Sequence, residues 1–160
     1  MKKYIGVKEV QATPMTRGQH SISKGFDKVL TGSAEDEGYQ IIYKDGYESW
    51  SPKDVFEESY RETTALTYGL AIEALREGKC VARKGWNGSG MFICKQVPSE
   101  IYCNIIPKMS SLPQTAKDIL FDRDKSIFYD NQMIIVKPDN TIDSWVASSS
   151  DTFAEDWYIV

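Results

Sequence analysis

Aromatic and small polar side chains recur at the turns in the second half of this sequence. Trp86 and Asn87 lie in the glycine-rich stretch GWNGSG, Trp145 precedes the serines at 148–150, and Asp151 follows them. A purine needs a flat aromatic surface for stacking and an amide or carboxylate for its hydrogen-bonding edge. A phosphate needs hydroxyl and amide donors, which a capped helical turn supplies. These residue types would suit a small ligand that carries a purine and a phosphate.

The same residues also have a purely structural interpretation. A tryptophan in a small domain often packs in the core, and a serine before a helix often serves as its N-cap. Trp145 is either a second stacking platform or a core residue, and Trp157 is expected to pack. Composition alone therefore predicts a soluble α+β protein that binds something small.

Catalytic chemistry has weaker support in the sequence. His20 is the only histidine, and no serine or cysteine motif accompanies it, which argues against a nucleophile with a histidine base. The sequence contains neither a phosphate-binding lysine loop nor a dinucleotide-binding fingerprint. The competing hypothesis is a nucleotide-cleaving enzyme, a phosphodiesterase or glycosidase that uses Asp143, Asp151 or Asp156.

Charge and hydropathy limit the partners. The chain has 160 residues and a net charge of −4, with 41% hydrophobic and 26% charged residues, and its scattered basic residues predict no binding to long nucleic acid. No apolar run reaches the roughly 18 residues of a membrane span. The opening MKKYIGVKEV alternates apolar and polar residues like a strand, unlike a signal peptide. We therefore expect no membrane association and a location in the cytoplasm.

The cysteines predict neither a disulfide framework nor a metal site. Cys80, Cys94 and Cys103 are odd in number and lack metal-ligand spacing. We expect reduced, partly buried thiols, and we expect no metal and no cofactor.

The first module is predicted at residues 1–62. KYIGVKEVQA is predicted as a strand, and YQIIYKDGYESW as a hairpin that turns at Asp45-Gly46. SPKDVFEESYRE is predicted as a helix with Ser51 as N-cap and Pro52 in its first position. Its buried stripe would contain Val55, Phe56 and Tyr60. The segment RETTAL is interpreted as a joint.

The second module is predicted at residues 66–160. TYGLAIEALREGK is a helix capped by Thr67 and ended by Gly78, followed by the strands CVARK and MFICKQV around GWNGSG. PSEIYCNIIPKMSSLPQ should be mostly irregular, with a short helix near TAKDILFD. QMIIVK and TIDSWVA flank the turn PDN, and SSSDTFAEDWYIV forms a helical turn and a terminal strand. The predicted fold class is α+β, an antiparallel sheet with helices packed on one side, preceded by a small α+β N-terminal module.

Residues 66–160 also resemble a known family. The stretches YGLAIEALREGKCVARKGWNGSGMFI and DNTIDSWVASSSDTFAEDWYIV are similar to those of the phage-encoded Thoeris anti-defence 2 family. The intervening segment is longer and less similar. The first module resembles N-terminal extensions of other phage proteins through PMTRG, EDEGY and YKDGYESWSPKDVFEESY. The resemblance implies no assigned activity there, only a helper role in stability, assembly or partner binding.

The family resemblance implies a protein that binds a signal without degrading it. Such proteins sequester cyclic ADP-ribose isomers with a glycosidic link between the two riboses, in pockets between subunits of a homo-oligomer. A tetramer is favoured and a dimer is possible. Some members also take cyclic dinucleotides or trinucleotides at a second type of site. The implied outcome is a block of Thoeris immunity in the host bacterial cytoplasm, with CBASS immunity as an additional target. The remaining alternative is a structural phage accessory protein.

The resemblance assigns a candidate role to each site residue. Trp86 would stack on the adenine or cover the pocket mouth, and Asn87 would bind a base edge, ribose or phosphate unless it only forms the turn. Ser148 would face the phosphates and Asp151 the ribose hydroxyls, because a carboxylate is repelled by a diphosphate. Arg83 and Lys84 supply positive charge beside the loop and would steer an anionic ligand, unless they are only surface residues of the strand. The remaining members of the predicted ligand-binding set are Trp145 and Met91.

Overall fold

The structure, a computed structural model, describes residues 1–2, 6–27, 31–86 and 88–160. The described residues form two compact units, residues 1–62 and residues 63–160. Each unit has its own antiparallel sheet and helices, so the α+β class predicted from the sequence is confirmed. Among the described residues, no helix combines the length and apolar content that crossing a membrane requires.

The sheet of the first unit contains β1 (Gln11–Pro14), β2 (Gly38–Ile42) and β3 (Glu48–Pro52) in that order, all antiparallel. The hairpin predicted at Asp45-Gly46 is confirmed, and Gly46 has φ +82, which a glycine adopts without steric cost. The predicted first strand is wrong over residues 6–10, since β1 begins at Gln11. Residues 3–5 of that prediction lie outside the described residues.

The described part of the first unit also contains two helices, of which the second packs on β2 and β3. The helix α1 (Arg17–Ser23) begins at a capping box of Thr16 and Gln19, and α2 (Lys53–Ser59) follows β3 directly. The cap predicted for α2 is wrong, because Ser51 lies in β3 and Pro52 is itself the N-cap without a side-chain hydrogen bond.

The predicted buried stripe of α2 is partly wrong. Val55 is 49% exposed. Phe56 instead stacks between Tyr39 and Tyr60, at centroid distances of 4.2 and 4.7 Å. Aromatic stacking of this kind contributes beyond the area that it buries.

The second unit has the main sheet. Its strands are β4 (Val81–Arg83), β5 (Phe92–Gln96), β8 (Gln132–Val136), β9 (Ile142–Ser144) and β10 (Trp157–Ile159), in the order β10-β4-β5-β8-β9. All neighbours are antiparallel. The two predicted hairpins around GWNGSG and PDN are therefore confirmed.

The helix α3 (Tyr68–Arg76) covers the sheet over β10, β4 and β5. Thr67 caps its start and Gly78, at φ +83, follows its end, as predicted. The core between helix and sheet consists of buried apolar residues: Leu66, Ala71, Ala74, Leu75, Val81, Ile93 and Trp157. Leu66 also pairs with Trp157 through two backbone hydrogen bonds, so part of the predicted joint belongs to the second unit.

The segment between β5 and β8 is more regular than predicted. It contains β6 (Ser99–Ile101), which pairs with β7 (Ile127–Tyr129), and a 3₁₀ turn at Ile106–Lys108. The predicted short helix is confirmed as α4 (Gln114–Asp122). The terminal helical turn, α5 (Ser149–Thr152), and the terminal strand β10 are also confirmed.

Candidate functional site

Trp86 lies at the start of the glycine-rich loop between β4 and β5 and packs inward. Its ring is half-buried and contacts the edges of two other indoles, with centroid distances of 5.5 Å to Trp157 and 6.2 Å to Trp145. Trp145 and Trp157 are themselves 6.0 Å apart at 82°. Edge-to-face geometry of this kind is favourable for aromatic pairs. The three indoles join the loop to the core of the second unit.

Asp151 is hydrogen-bonded to the Trp86 indole of this cluster and is buried, with 8% of its surface exposed. Its Oδ1 accepts hydrogen bonds from Arg83 Nη1 at 2.7 Å and from Trp86 Nε1 at 3.1 Å. Its Oδ2 accepts from the backbone amide of Ser148 at 3.0 Å and from the Ser148 hydroxyl at 2.6 Å. A carboxylate accepts about four hydrogen bonds, so a ribose hydroxyl would have to displace one of these donors.

The surroundings of Asp151 keep it ionised. Burial raises the pKa of a carboxyl group, but the hydrogen bonds from Ser148, Arg83 and Trp86 outweigh burial and lower the pKa of Asp151 to about 2. Hydrogen bonds to the charged form have this effect because they stabilise it selectively. At neutral pH, Asp151 is therefore a charged acceptor and a poor proton donor.

Arg83 joins Asp151 to Asp156. Its Nε donates to Asp156 Oδ1 at 2.8 Å, and the second oxygen of Asp156 accepts the backbone amide of Gly85 at 2.6 Å. The Arg83 guanidinium lowers the pKa of Asp156, helped by that amide. Asp156 therefore positions Arg83 and the first turn of the loop together.

The Arg83 guanidinium retains donors that these contacts do not use. Nη1 contacts Asp151 and the Ser150 carbonyl oxygen, at 2.7 and 3.3 Å. Nη2 has no hydrogen-bond partner within the described ranges. It lies close to Gly85, at 3.2 Å from the position that a Cβ atom would occupy there. Guanidinium donors held in a fixed orientation are suited to phosphate or carboxylate oxygens.

An open depression of about 440 Å³ lies beside the loop. It combines the Trp86 ring with the cationic side chains of Arg83 and Lys84 and with loop backbone. The residues that line it are Thr64, Arg83, Lys84, Trp86, Gly88, Ser89, Gly90, Met91 and Tyr158. Such a surface offers stacking, positive charge and amide donors to a ligand.

The structure brings most of the predicted site residues together. Arg83, Trp86, Ser148 and Asp151 form one hydrogen-bonded cluster, and Trp145 packs on it. Arg83, Trp86 and Met91 line the depression. Ser148 is the N-cap of α5 and its hydroxyl donates to Asp151, so a phosphate at the predicted position would compete with this carboxylate for the hydroxyl proton. Asn87 lies outside the described residues.

The three aspartates of the enzyme hypothesis are not assembled into one site. Asp143 is exposed in β9 and pairs with Lys137 at 2.5 Å. Asp151 and Asp156 are each held by Arg83. No carboxylate lines the depression among the described residues.

Six lining residues were absent from the predicted ligand-binding set: Thr64, Lys84, Gly88, Ser89, Gly90 and Tyr158. Two of them have long side chains. Lys84 precedes the loop and Tyr158 lies in β10. Tyr158 alternates with the buried Trp157, and this period-two pattern at the end of the sequence indicates an outward-facing aromatic ring. Lys84 was identified in the sequence by its positive charge beside the loop, which it shares with Arg83.

The fold and the site define a small α+β protein with an aromatic, cation-bordered depression in its second unit. Residues 66–160 match the protein family described as the Thoeris anti-defense 2-like domain. A curated relative, Thoeris anti-defense 2 of Bacillus phage SP01, is 34% identical over 100 residues, which are 61% of this chain and 97% of the relative. The chain belongs to the Thoeris anti-defense 2-like family, and the resemblance seen in the sequence is confirmed.

Proposed function

We propose that this protein is a phage anti-defence protein that binds a cyclic ADP-ribose-type immune signal and sequesters it without degrading it. Removing the signal would block Thoeris immunity in the cytoplasm of the host. The family assignment supports the anti-Thoeris role. The observation that carries the binding role is the depression in which Trp86 borders Arg83 and Lys84.

The depression has the size and chemistry for such a ligand. Its volume of about 440 Å³ lies within the roughly 300 to 1,000 Å³ of small-molecule sites. In the proposed complex, Trp86 stacks on adenine, while Lys84 and the Nη2 group of Arg83 face the diphosphate. Met91 covers the apolar face of the base.

In this proposal, Asp151 and Ser148 do not contact the ligand but hold the residues that do. Asp151 orients the Trp86 indole and the Arg83 guanidinium through its Oδ1. Ser148 fixes Asp151 through its Oδ2. The predicted contacts of these two residues with sugar and phosphate stay predictions, as does the role of Asn87.

The proposal includes a homo-oligomer, with a tetramer favoured. Exposed apolar side chains of the second unit support an additional protein contact, among them Val146 at 83%, Phe153 at 85% and Phe128 at 70% exposure. Exposed apolar surface of this kind marks interaction sites when it is contiguous. Size-exclusion chromatography with light scattering measures the mass, and a monomer at all concentrations would contradict this part.

Calorimetric titration of the purified protein with cyclic ADP-ribose isomers tests the binding role. Trp86→Ala is expected to weaken binding by about 1 to 3 kcal/mol, the contribution of one base stacked on an aromatic ring. Tyr47→Ala is the matched control, because Tyr47 is a 64% exposed aromatic residue of the first unit. Equal affinities of wild type and Trp86→Ala would show that Trp86 does not contact the ligand.

Recovery of the ligand separates sequestration from catalysis. The loaded protein is heated, and the released nucleotide is analysed by mass spectrometry. A sequestering protein returns the ligand intact, whereas an enzyme that uses Asp143, Asp151 or Asp156 returns product. The enzyme hypothesis has no support in the arrangement of these carboxylates, because Asp143 pairs with Lys137 whereas Asp151 and Asp156 both pair with Arg83.

A thermal-shift panel tests the third possibility, a structural accessory protein that binds no small molecule. The panel contains cyclic ADP-ribose isomers, cyclic dinucleotides and cyclic trinucleotides. A ligand that binds only the folded state raises the apparent stability. Insensitivity to every ligand would favour the accessory role, and a response to cyclic dinucleotides or trinucleotides would extend the proposal to CBASS signals.

A further inference from the structure

Cys80 and Cys94 lie opposite each other at the base of the hairpin that carries the glycine-rich loop. Val81 of β4 pairs with Ile93 of β5 in an antiparallel register, so the preceding residue of one strand faces the following residue of the other. Both cysteines are free and half-buried. Val81 and Ile93 are fully buried in the core. Because side chains alternate along strands, both thiols point to the opposite face of the sheet.

The hydrogen bonding of the sheet determines how close this pair is. The Cys80 carbonyl oxygen accepts the backbone amide of Val160 at 3.0 Å, on the β10 side of β4. The polar backbone groups of Cys80 therefore point away from β5, and Cys80 and Cys94 form a non-hydrogen-bonded pair. In such pairs the Cα atoms are about 4.5 Å apart, which lies within the roughly 4.4 to 6.8 Å that a disulfide spans.

The electrostatics of the pair agree with this geometry. Burial raises the pKa of the Cys94 thiol, and the neighbouring Cys80 raises it further. Thiol–disulfide exchange proceeds through the thiolate. The reaction of the pair is therefore expected to become faster as the pH rises.

We infer that Cys80 and Cys94 are an oxidation site that closes to an intramolecular disulfide in the presence of a low-molecular-weight disulfide such as oxidised glutathione. One cysteine, after losing its proton, attacks the oxidant and releases one glutathione thiolate. The other cysteine then loses its proton and attacks the protein sulfur of the mixed disulfide, expelling the second glutathione. The two protons are taken up by the released thiolates, so two protein thiols are oxidised while one oxidant disulfide is reduced.

The bond would enclose the loop that borders the depression. Residues 80–94 contain β4, the loop and the start of β5, so oxidation ties the two ends of this hairpin covalently. A disulfide across a loop restricts the unfolded chain and stabilises the folded one. This inference does not depend on what ligand the depression binds.

Peptide mapping of the full chain tests the inference. Cys103→Ser removes the third thiol and serves as the parent, and Cys80→Ser and Cys94→Ser are made in that parent. After treatment with oxidised glutathione and alkylation, trypsin is expected to yield CVAR (80–83) linked to GWNGSGMFICK (85–95). Both serine variants are expected to carry a glutathione adduct instead.

The parent is also expected to lose both thiols and to unfold at a higher urea concentration than its reduced form. That shift should vanish in Cys80→Ser. Two stable glutathione adducts on the folded parent, or disulfide-linked dimers, would overturn the inference. So would two unreacted thiols under conditions that oxidise the same protein in denaturant.

Discussion

The carboxylate of Asp151 accepts hydrogen bonds from three elements: the loop, a helical turn and a strand. Trp86 from the loop, Ser148 from the cap of α5 and Arg83 from β4 all donate to it. Arg83 and Asp151 have side-chain exposures of 15% and 12%. An ion pair this dry is costly to break from one side, because the remaining charge is left without its partner.

Asp151→Asn is expected to destabilise the protein and to change its response to acid. Loss of hydrogen bonds to a charged group costs about 2 to 3 kcal/mol. The free energy of unfolding in urea at neutral pH measures this loss. The pKa of Asp151 is about 2 in the folded state against an ordinary 3.8. A lowered carboxyl pKa stabilises the fold above the ordinary value, and this stability is lost as the pH falls from about 4 towards 2.

The wild-type free energy of unfolding should therefore fall more steeply than that of Asp151→Asn across this pH range, by roughly 2 kcal/mol in total. Asp143→Asn is the control, because Asp143 pairs with Lys137 on the exposed surface. That substitution should change the unfolding curve little. Parallel pH profiles for wild type and Asp151→Asn would contradict the assigned role of the carboxylate.

Individual residues were predictable where a local pattern placed them. Trp157 was expected to pack, and it is fully buried. The pairing of Arg83 with Asp156 was not predictable, because 73 residues separate them. Only the register that sets Trp157 opposite Arg83 in β10 and β4 brings the two together. A single sequence does not reveal such a register between short strands.

At the level of elements, the helix α3 provides a matched pair of glycines. Gly78 has φ +83 and no neighbouring atom within 4 Å of an added Cβ, whereas Gly69 lies within the helix and such a Cβ would meet only Thr67 Oγ1 at 3.9 Å. Gly78→Ala is expected to destabilise the second unit by about 1 kcal/mol, because a left-handed conformation is strained for alanine. Gly69→Ala is expected to stabilise it by roughly 0.5 kcal/mol.

Urea unfolding monitored by circular dichroism measures the free energy of unfolding of both variants. Both variants add one methyl group without a steric clash, so opposite signs isolate the backbone conformation as the cause. A stabilising effect of Gly78→Ala would show that the end of α3 is not held in the left-handed region.

Elements with strong local signals were predictable, and short elements were not. The pair Asp45-Gly46 predicted its hairpin, and the sequence TYGLAIEALREGK, with Thr67 as cap and Gly78 at its end, predicted α3. β6 and β7 are only three residues long each. Their pairing joins residues 26 to 30 positions apart, and neither strand is long enough for its own alternation to reveal that pairing.

At the level of the whole molecule, the family match is confined to the second unit. The match covers residues 66–160, and the relative from Bacillus phage SP01 is aligned over 97% of its own length. That relative therefore has almost no additional chain to correspond to the first unit. The core of the second unit lies within residues 66–157, so its apolar contacts are supplied locally.

A protein of residues 63–160 is expected to fold and to bind the same nucleotide as the full chain. Its near-ultraviolet circular dichroism and its calorimetric affinity, compared with the full chain, measure this. An affinity within about threefold, less than 1 kcal/mol, would assign binding to the second unit. A folded fragment that binds no nucleotide bound by the full chain would show that residues 1–62 contribute to the site.

The packing of Trp86, Trp145 and Trp157 gives the second unit an optical signature of its own. Indoles with centroids 5.5 to 6.2 Å apart lie close enough for their electronic transitions to couple. One member of this trio also borders the depression, so whatever occupies the depression changes the surroundings of one of the coupled chromophores. The cluster is thus a built-in spectroscopic reporter of occupancy that requires no label.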